Sequence, residues 1–217
     1  MDGHTSHDSL GVVALTIPGR VVVFDYGEVI SAIPSAADRA ALVEAAGVPG
    51  DRLWPAYDRH RDALDRGTLG VTDYWQKIAS DIGVTWSAAE IHNLWSVDFR
   101  TWITAEPGTV ELIAELSHGG TRLAILSNAG FDFGSPLRFS PAGRYFERVF
   151  VSAEMDALKP EPAIYLEVAS ELGITPEAMV FIDNKSINTD AAAALGITVH
   201  HFTGAGGLRK FLTSLAS

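Results

Sequence analysis

The chain has 217 residues, 47% of them apolar, and a formal net charge of −11. That is enough apolar material to bury a core without a disulfide or metal staple, as one large domain or a core with a smaller insert. The lack of cysteine excludes disulfides, zinc-thiolate sites and thiol nucleophiles, and the acidic balance argues against general nucleic-acid or anionic-membrane binding.

The N-terminal stretch MDGHTSHDSL has no basic n-region, and the apolar run after it is too short to span a bilayer. Residues 1–19 read as a tail or edge segment of a soluble, cytoplasmic protein with no membrane partner. His4 and His7 read as solvated tail residues, and the stretch GVVALTI has the composition to add a strand to this sheet or to a neighbour's. The run VVVF at 21–24 predicts a buried strand ending at Asp25.

Residues 32–103 contain no comparable strand run yet supply all five tryptophans, Trp54, Trp75, Trp86, Trp95 and Trp102. Helical patterns at 36–46, 72–82 and 87–99, separated by GVPG, RGTLG and GVT, predict a small helical module whose core holds those tryptophans. An insert immediately after the first strand overhangs that strand's C-terminal end, where a cap would sit. Beyond it, β-rich runs at 123–126, 149–151, 179–182 and 197–199 alternate with helical patterns at 107–117, 160–172, 188–195 and 207–215. Gly119, Gly120, Gly173 and Gly196 stand where helices should release the chain. The alternation predicts an α/β fold with a doubly wound, Rossmann-like parallel sheet.

The strand ends carry the chemistry. Asp25 follows VVVF, Ser127 and Asn128 follow LAIL, Asp183 and Asn184 follow VFI, and VFV runs through SAEMDAL to Lys159 and Pro160. Ligands of open α/β sheets bind outside the carboxyl ends of the strands, so these groups should converge there. Pro160 is expected to start a helix and so to put Lys159 at a helix entrance. Each residue alone also suits a turn, a strand end or a cap. Together, two carboxylates, a hydroxyl and an ammonium form a set of parts for phosphate chemistry. Two facing carboxylates call for a cation between them, and oxygen ligands beside a phosphate suit Mg²⁺. Asp25 would act as nucleophile, Ser127 would bind a phosphoryl oxygen, and Lys159 would stabilise developing negative charge.

The stretches FDYGEV, LSNA, LKPEPAIY and FIDNKSINTDAAAALGI, in this order, resemble the four motifs of the haloacid dehalogenase (HAD) superfamily. The resemblance runs from about Arg20 to the C-terminus. It implies a HAD-like core at 20–31 and 104–217, with 32–103 looking like the cap. Carried over by position, Asp25 matches the nucleophile, Ser127 the phosphate-binding hydroxyl, and Lys159 the stabilising lysine, with Ser127, Asn128 and Lys159 expected to contact the substrate. Asp183 matches the acidic Mg²⁺ ligand, and Gly27 keeps the backbone carbonyl that magnesium-dependent members give to the metal.

Two positions depart from the family's pattern. Gly27 stands where typical phosphatases carry a general acid, although the Asp-x-Gly-x-Val branch resembles proteins that include sugar-phosphate phosphatases. Asn184 replaces the second acid of the usual Asp-Asp pair. Glu28 is the nearest substitute acid, but one step along the backbone ordinarily turns a side chain another way, so a solvated or salt-bridged Glu28 is expected.

The leading expectation is a Mg²⁺-dependent phosphohydrolase of a small phosphorylated metabolite. The alternatives are a phosphate-binding or regulatory protein with impaired catalysis, and a 2-haloacid dehalogenase. Asp183 and Asn188 weigh against the last, because the family's dehalogenases tend to carry serine and aspartate there. Trp54, Tyr57, Arg59, His60 and Arg61 are the residues of the helical segment that could face the cleft. His200 and His201 are expected beyond the last strand, away from it.

Overall fold

The computed structural model describes residues 14–216. Strands β1 (Val21–Phe24), β2 (Arg122–Ser127), β3 (Arg148–Val151), β4 (Met179–Asp183) and β5 (Thr198–His201) form one sheet in the order β3-β2-β1-β4-β5. Every pair is parallel. The three central strands are covered on both faces, which is why they read as unbroken apolar runs. Edge strand β5 is only half-buried, so its last residues, His200 and His201, are polar and lie within the strand rather than after it.

Six helices lie between β1 and β2, and the first five form the inserted segment: α1 (Ala36–Ala46), α2 (Gly50–Arg59), α3 (Arg61–Asp65), α4 (Val71–Asp81) and α5 (Ala88–Trp102). Ser35 and Ser87 start α1 and α5 with capping boxes, their side chains paired with the third residues Asp38 and Glu90. These helices share a core of their own built on Leu42, Leu53, Tyr74, Trp75, Ile78 and Leu94. Trp75 is fully inside it, and Trp54, Trp86 and Trp95 pack against it. Trp102 departs from the expectation: it packs against the sheet's core instead. The segment leaves and rejoins the sheet side by side, with Ala32 N donating to Thr104 O at 2.7 Å and Glu106 N to Ile30 O at 2.8 Å.

The remaining helices, α6 (Pro107–His118), α7 (Phe131–Phe139), α8 (Pro162–Glu171), α9 (Ser186–Ala193) and α10 (Ala205–Leu215), cover the two faces. The two-residue period of a strand sorts the core. Val22, Phe24, Ile125 and Ile182 meet α6, α7 and α10, whereas Val23, Ala124, Leu126 and Phe181 meet α8 and α9. This is the doubly wound arrangement. Helix α7 went unforeseen because Gly134 and Pro136 interrupt its pattern.

Pro160 does not open a helix. Lys159 and Pro160 form a turn in which Glu161 N donates to Leu158 O at 2.7 Å, and α8 starts at Pro162. The second proline explains the shift, because it disfavours helical backbone at Glu161, which is extended. Residues 14–17 of the GVVALTI stretch form no strand. They lie against the end of α6, with Leu15 N donating to Glu115 O at 3.1 Å and Ile17 N to Thr121 Oγ1 at 3.0 Å. A Cβ on Gly119 would stand 2.3 Å from Leu15 O, so this approach requires glycine. His4 and His7 lie outside the described residues. Among the described residues no helix is long and apolar enough to cross a membrane.

Candidate active site

Because β1, β2 and β4 run parallel and in register, their C-terminal residues end at one level. Asp25 N continues the pairing by donating to Ile182 O at 2.8 Å, which sets Asp25 beside Asp183 at the end of β4. Ser127 ends β2, and the loop after β3 brings Lys159 underneath. The Lys159 ammonium lies 2.7 Å from Asp25 Oδ1, 2.8 Å from Asp183 Oδ2 and 2.9 Å from Leu126 O. Three acceptors therefore meet its three donors. The ammonium of Lys159 thus bridges the two carboxylates through Asp25 Oδ1 and Asp183 Oδ2.

Each partner is held from behind. Asp183 accepts from Lys185 N at 2.8 Å and from Asn188 Nδ2 at 3.1 and 2.9 Å, so with Lys159 its oxygens are well supplied with donors. Asn188, in the first turn of α9, is thus a support for Asp183, and its own carbonyl accepts from Tyr165 at 3.0 Å. Asn128 uses both ends of its amide on the Lys159 backbone: Nδ2 donates to Lys159 O and Oδ1 accepts from Lys159 N, each at 2.9 Å. This two-way bond fixes the lysine's loop, a role distinct from the substrate contact expected of it.

The electrostatics follow from burial. Asp25 is 6% exposed, and loss of water pushes its carboxyl up to about 6, with the Lys159 charge opposing and the Asp183 charge adding to the rise. Burial alone would make Lys159 shed its proton, but the Asp25 and Asp183 carboxylates outweigh it and hold its pKa above the ordinary lysine value. Both contacts on Asp25, from Lys159 and from Tyr26 N at 2.7 Å, fall on Oδ1 and neither on Oδ2.

These strand ends form the floor of a cavity of about 270 Å³ roofed by the helical segment. Asp25, Ser127 and Lys159 line it from below, and Tyr57, Arg61 and Trp102 from above. Of the residues singled out in the helical segment, Tyr57 and Arg61 reach this cavity, whereas Arg59 and His60 bind Asp81 at 2.7 and 2.9 Å and Trp54 packs in the segment's own core. Arg61 is braced by Asp65 at 3.0 Å and by the Tyr57 hydroxyl at 3.0 Å, which in turn donates to Asp98 at 2.9 Å. Asp65 and Trp102 were missed as cavity residues. Position was the available signal for Trp102, which ends the last helix before the chain returns to the sheet.

Glu28 departs from expectation. Its φ of 59° is in the left-handed region, which re-aims the side chain relative to an extended neighbour. Glu28 lines the cavity, and its Oε2 accepts from Asn184 Nδ2 at 2.9 Å. Gly27 needs no glycine for its backbone, and a Cβ there would make ordinary contact, 3.7 Å from the Trp102 ring. Among the described residues no group of three or more acidic or histidine side chains is placed to hold a metal ion. The oxygen donors at the strand ends are two carboxylates, the Gly27 carbonyl and the amide of Asn184.

Solved structures share this architecture. A HAD family enzyme from Bacteroides thetaiotaomicron, in complex with magnesium and inorganic phosphate, superposes with a TM-score of 0.66 at 20% identity over 83% of this chain and 92% of its own. The L-2-haloacid dehalogenase from Xanthobacter autotrophicus does so with a TM-score of 0.64 at 19% identity, over 90% and 82%. At such identities the likeness establishes the fold. In sequence, phosphoglycolate phosphatase from Salmonella paratyphi A is 33% identical over 91 residues, which make up 42% of this chain and 36% of that protein. Mouse acyl-CoA dehydrogenase family member 10 is 26% identical over 189 residues, 82% of this chain and 17% of that protein. This chain therefore spans only a minor part of the curated relatives it matches. The sequence profile of haloacid dehalogenase-like hydrolases matches residues 20–196, a stretch that holds Asp25, Ser127, Lys159 and Asp183, and this chain belongs to that family.

Proposed function

We propose that the protein is a Mg²⁺-dependent phosphohydrolase of a small phosphorylated metabolite, with 20–31 and 104–217 as its catalytic core and 32–103 as a cap that shapes specificity. The observation that carries this reading is the buried Asp25–Lys159–Asp183 bridge opening onto a cavity beside Ser127. Oδ2 of Asp25 attacks the phosphorus, the ester P–O bond breaks, and the leaving alkoxide takes a proton from solvent, to which the water of the second step returns one; Gly27 leaves no side chain to carry that proton. Water then attacks the aspartyl-phosphate, releasing phosphate and restoring Asp25. Ser127 binds a phosphoryl oxygen, and Lys159 keeps Asp25 ionised in a buried setting and balances charge in the transition state.

The donor set fits Mg²⁺, which takes oxygen ligands and is commonly held by one or two carboxylates plus phosphate and water. Asn184 Oδ1 is a buried acceptor with no hydrogen-bond partner, as a cation ligand would be before the ion binds. Asp25, the Gly27 carbonyl, Asp183 and Asn184 would hold the ion. When bound it neutralises charge on the transferring phosphoryl group.

The test offers the protein a panel of phosphate monoesters, phosphoglycolate included, and 2-chloropropionate, each with Mg²⁺ or EDTA, beside Asp25→Asn. Phosphate release that needs Mg²⁺ and disappears in the variant is expected. Chloride release indifferent to EDTA would establish a dehalogenase instead. Binding of phosphate without turnover would establish a binding or regulatory protein.

A further inference from the structure

Glu28 and Asn184 are 156 residues apart in sequence and share a hydrogen bond of 2.9 Å. A carboxylate only accepts, so the bond fixes the amide: Nδ2 faces Glu28, and an oxygen is the atom left over. That oxygen, Asn184 Oδ1, is buried and has no donor. It belongs to a residue lining the same cavity as Asp25 and Gly27. The frame around the pair is fixed as well. Glu28 N donates to Ser31 Oγ at 2.9 Å, and His201 Nε2 donates to the backbone carbonyl of Asn184 at 3.0 Å.

We propose that Glu28 is a positioning residue that commits the Asn184 amide to presenting Oδ1 to the divalent cation, and that the acid at 28 and the amide at 184 are one coupled feature. The inference rests on the Mg²⁺ reading above. An aspartate at 184 would set two carboxylates about 3 Å apart with no donor between them, a repulsive contact of acceptor against acceptor. An amide at 184 removes the clash. The carboxylate that the family's pattern puts in the last motif is thus supplied from the first, one shell further out. The left-handed backbone at Glu28 is what lets a residue adjacent to Gly27 reach this position.

The test is Mg²⁺ titration by calorimetry into the whole protein and its Glu28→Ala, Glu28→Gln, Asn184→Ala and Glu28→Ala/Asn184→Ala variants. Loss of an outer-shell partner weakens metal affinity by about 10–100-fold, and Glu28→Ala should fall in that range. Glu28→Gln should retain most of the affinity, because its amide oxygen still accepts from Nδ2. Once Asn184 is alanine, removing Glu28 should cost nothing more. Without metal, Asn184→Asp should lower the melting temperature and Glu28→Gln/Asn184→Asp should restore it. Unchanged affinity in Glu28→Ala, or a loss that persists in full beside Asn184→Ala, would overturn the inference while leaving the Mg²⁺ reading intact. A wild-type protein that takes up no Mg²⁺ would overturn both.

Discussion

Lys159 carries the largest single energetic stake in the site. Its side chain is 1% exposed, and it separates two carboxylates that are themselves buried. Removing one member of a buried ionic cluster typically costs about 3–5 kcal/mol, because the remaining charges lose their compensation. Lys159→Met should therefore lower the urea midpoint by that equivalent with an unchanged m-value; a change within error would mean that Asp25 or Asp183 takes up a proton instead. Asp25, Ser127 and Asp183 were legible in the sequence because strand-end position alone brings them together in a parallel sheet, and Lys159, on the loop after β3, through the LKPEPAIY motif. The supports were less legible. Asn128, Asn188 and Glu28 act through hydrogen bonds whose partners are fixed by loop geometry and by one backbone angle, neither of which a residue pattern encodes.

Among the elements, short α3 shows how the helical segment meets the sheet. Its five residues carry no apolar period, which is why it could not be read in advance. The Ser152 hydroxyl donates to the Asp65 carbonyl at its end and accepts from Ala129 N at 2.9 Å, tying α3 to the loop after β2. The Asp65 carboxyl is pushed from 3.8 to about 6 by burial, against the pull of Arg61. The folded chain thus holds this proton more tightly than the unfolded chain does. The resulting stability is complete below pH 3.8 and is lost as pH rises through about 6. Asp65→Asn removes that dependence. The difference in urea-derived stability, wild type minus variant, should fall between pH 4 and 6 and level off above; a rising difference would refute the assignment.

For the whole molecule, the parallel sheet and its two covered faces followed from the alternating pattern, because each central strand needs apolar cover on both sides, whereas the strand order did not. The manner in which the helical segment sits on the sheet did not, since it depends on pairs distant in sequence. Besides the Ser152–Asp65 tie and the packing of Trp102, two further attachments hold it. One is the side-by-side crossing at Ala32 and Thr104. The other is Arg66, which pairs with Glu161 and donates to Asp156 O at 3.1 Å, with Trp95 Nε1 donating to Asp132 at 2.7 Å nearby. An exposed pair of this kind is worth about 0–1 kcal/mol. Arg66→Ala should leave global stability within that range yet speed amide exchange across 61–66; unchanged exchange would show that the pair does not hold the segment down.

Glu161 stands two residues after Lys159, on the loop that Asn128 fixes from the other side. The ion pair with Arg66 therefore touches the roof of the cavity and the loop of the lysine at once. Dissolved ions reach that surface contact and screen it, whereas they do not reach the buried ammonium. Added salt therefore weakens the Arg66–Glu161 pair while leaving the Lys159 bridge beneath it nearly untouched.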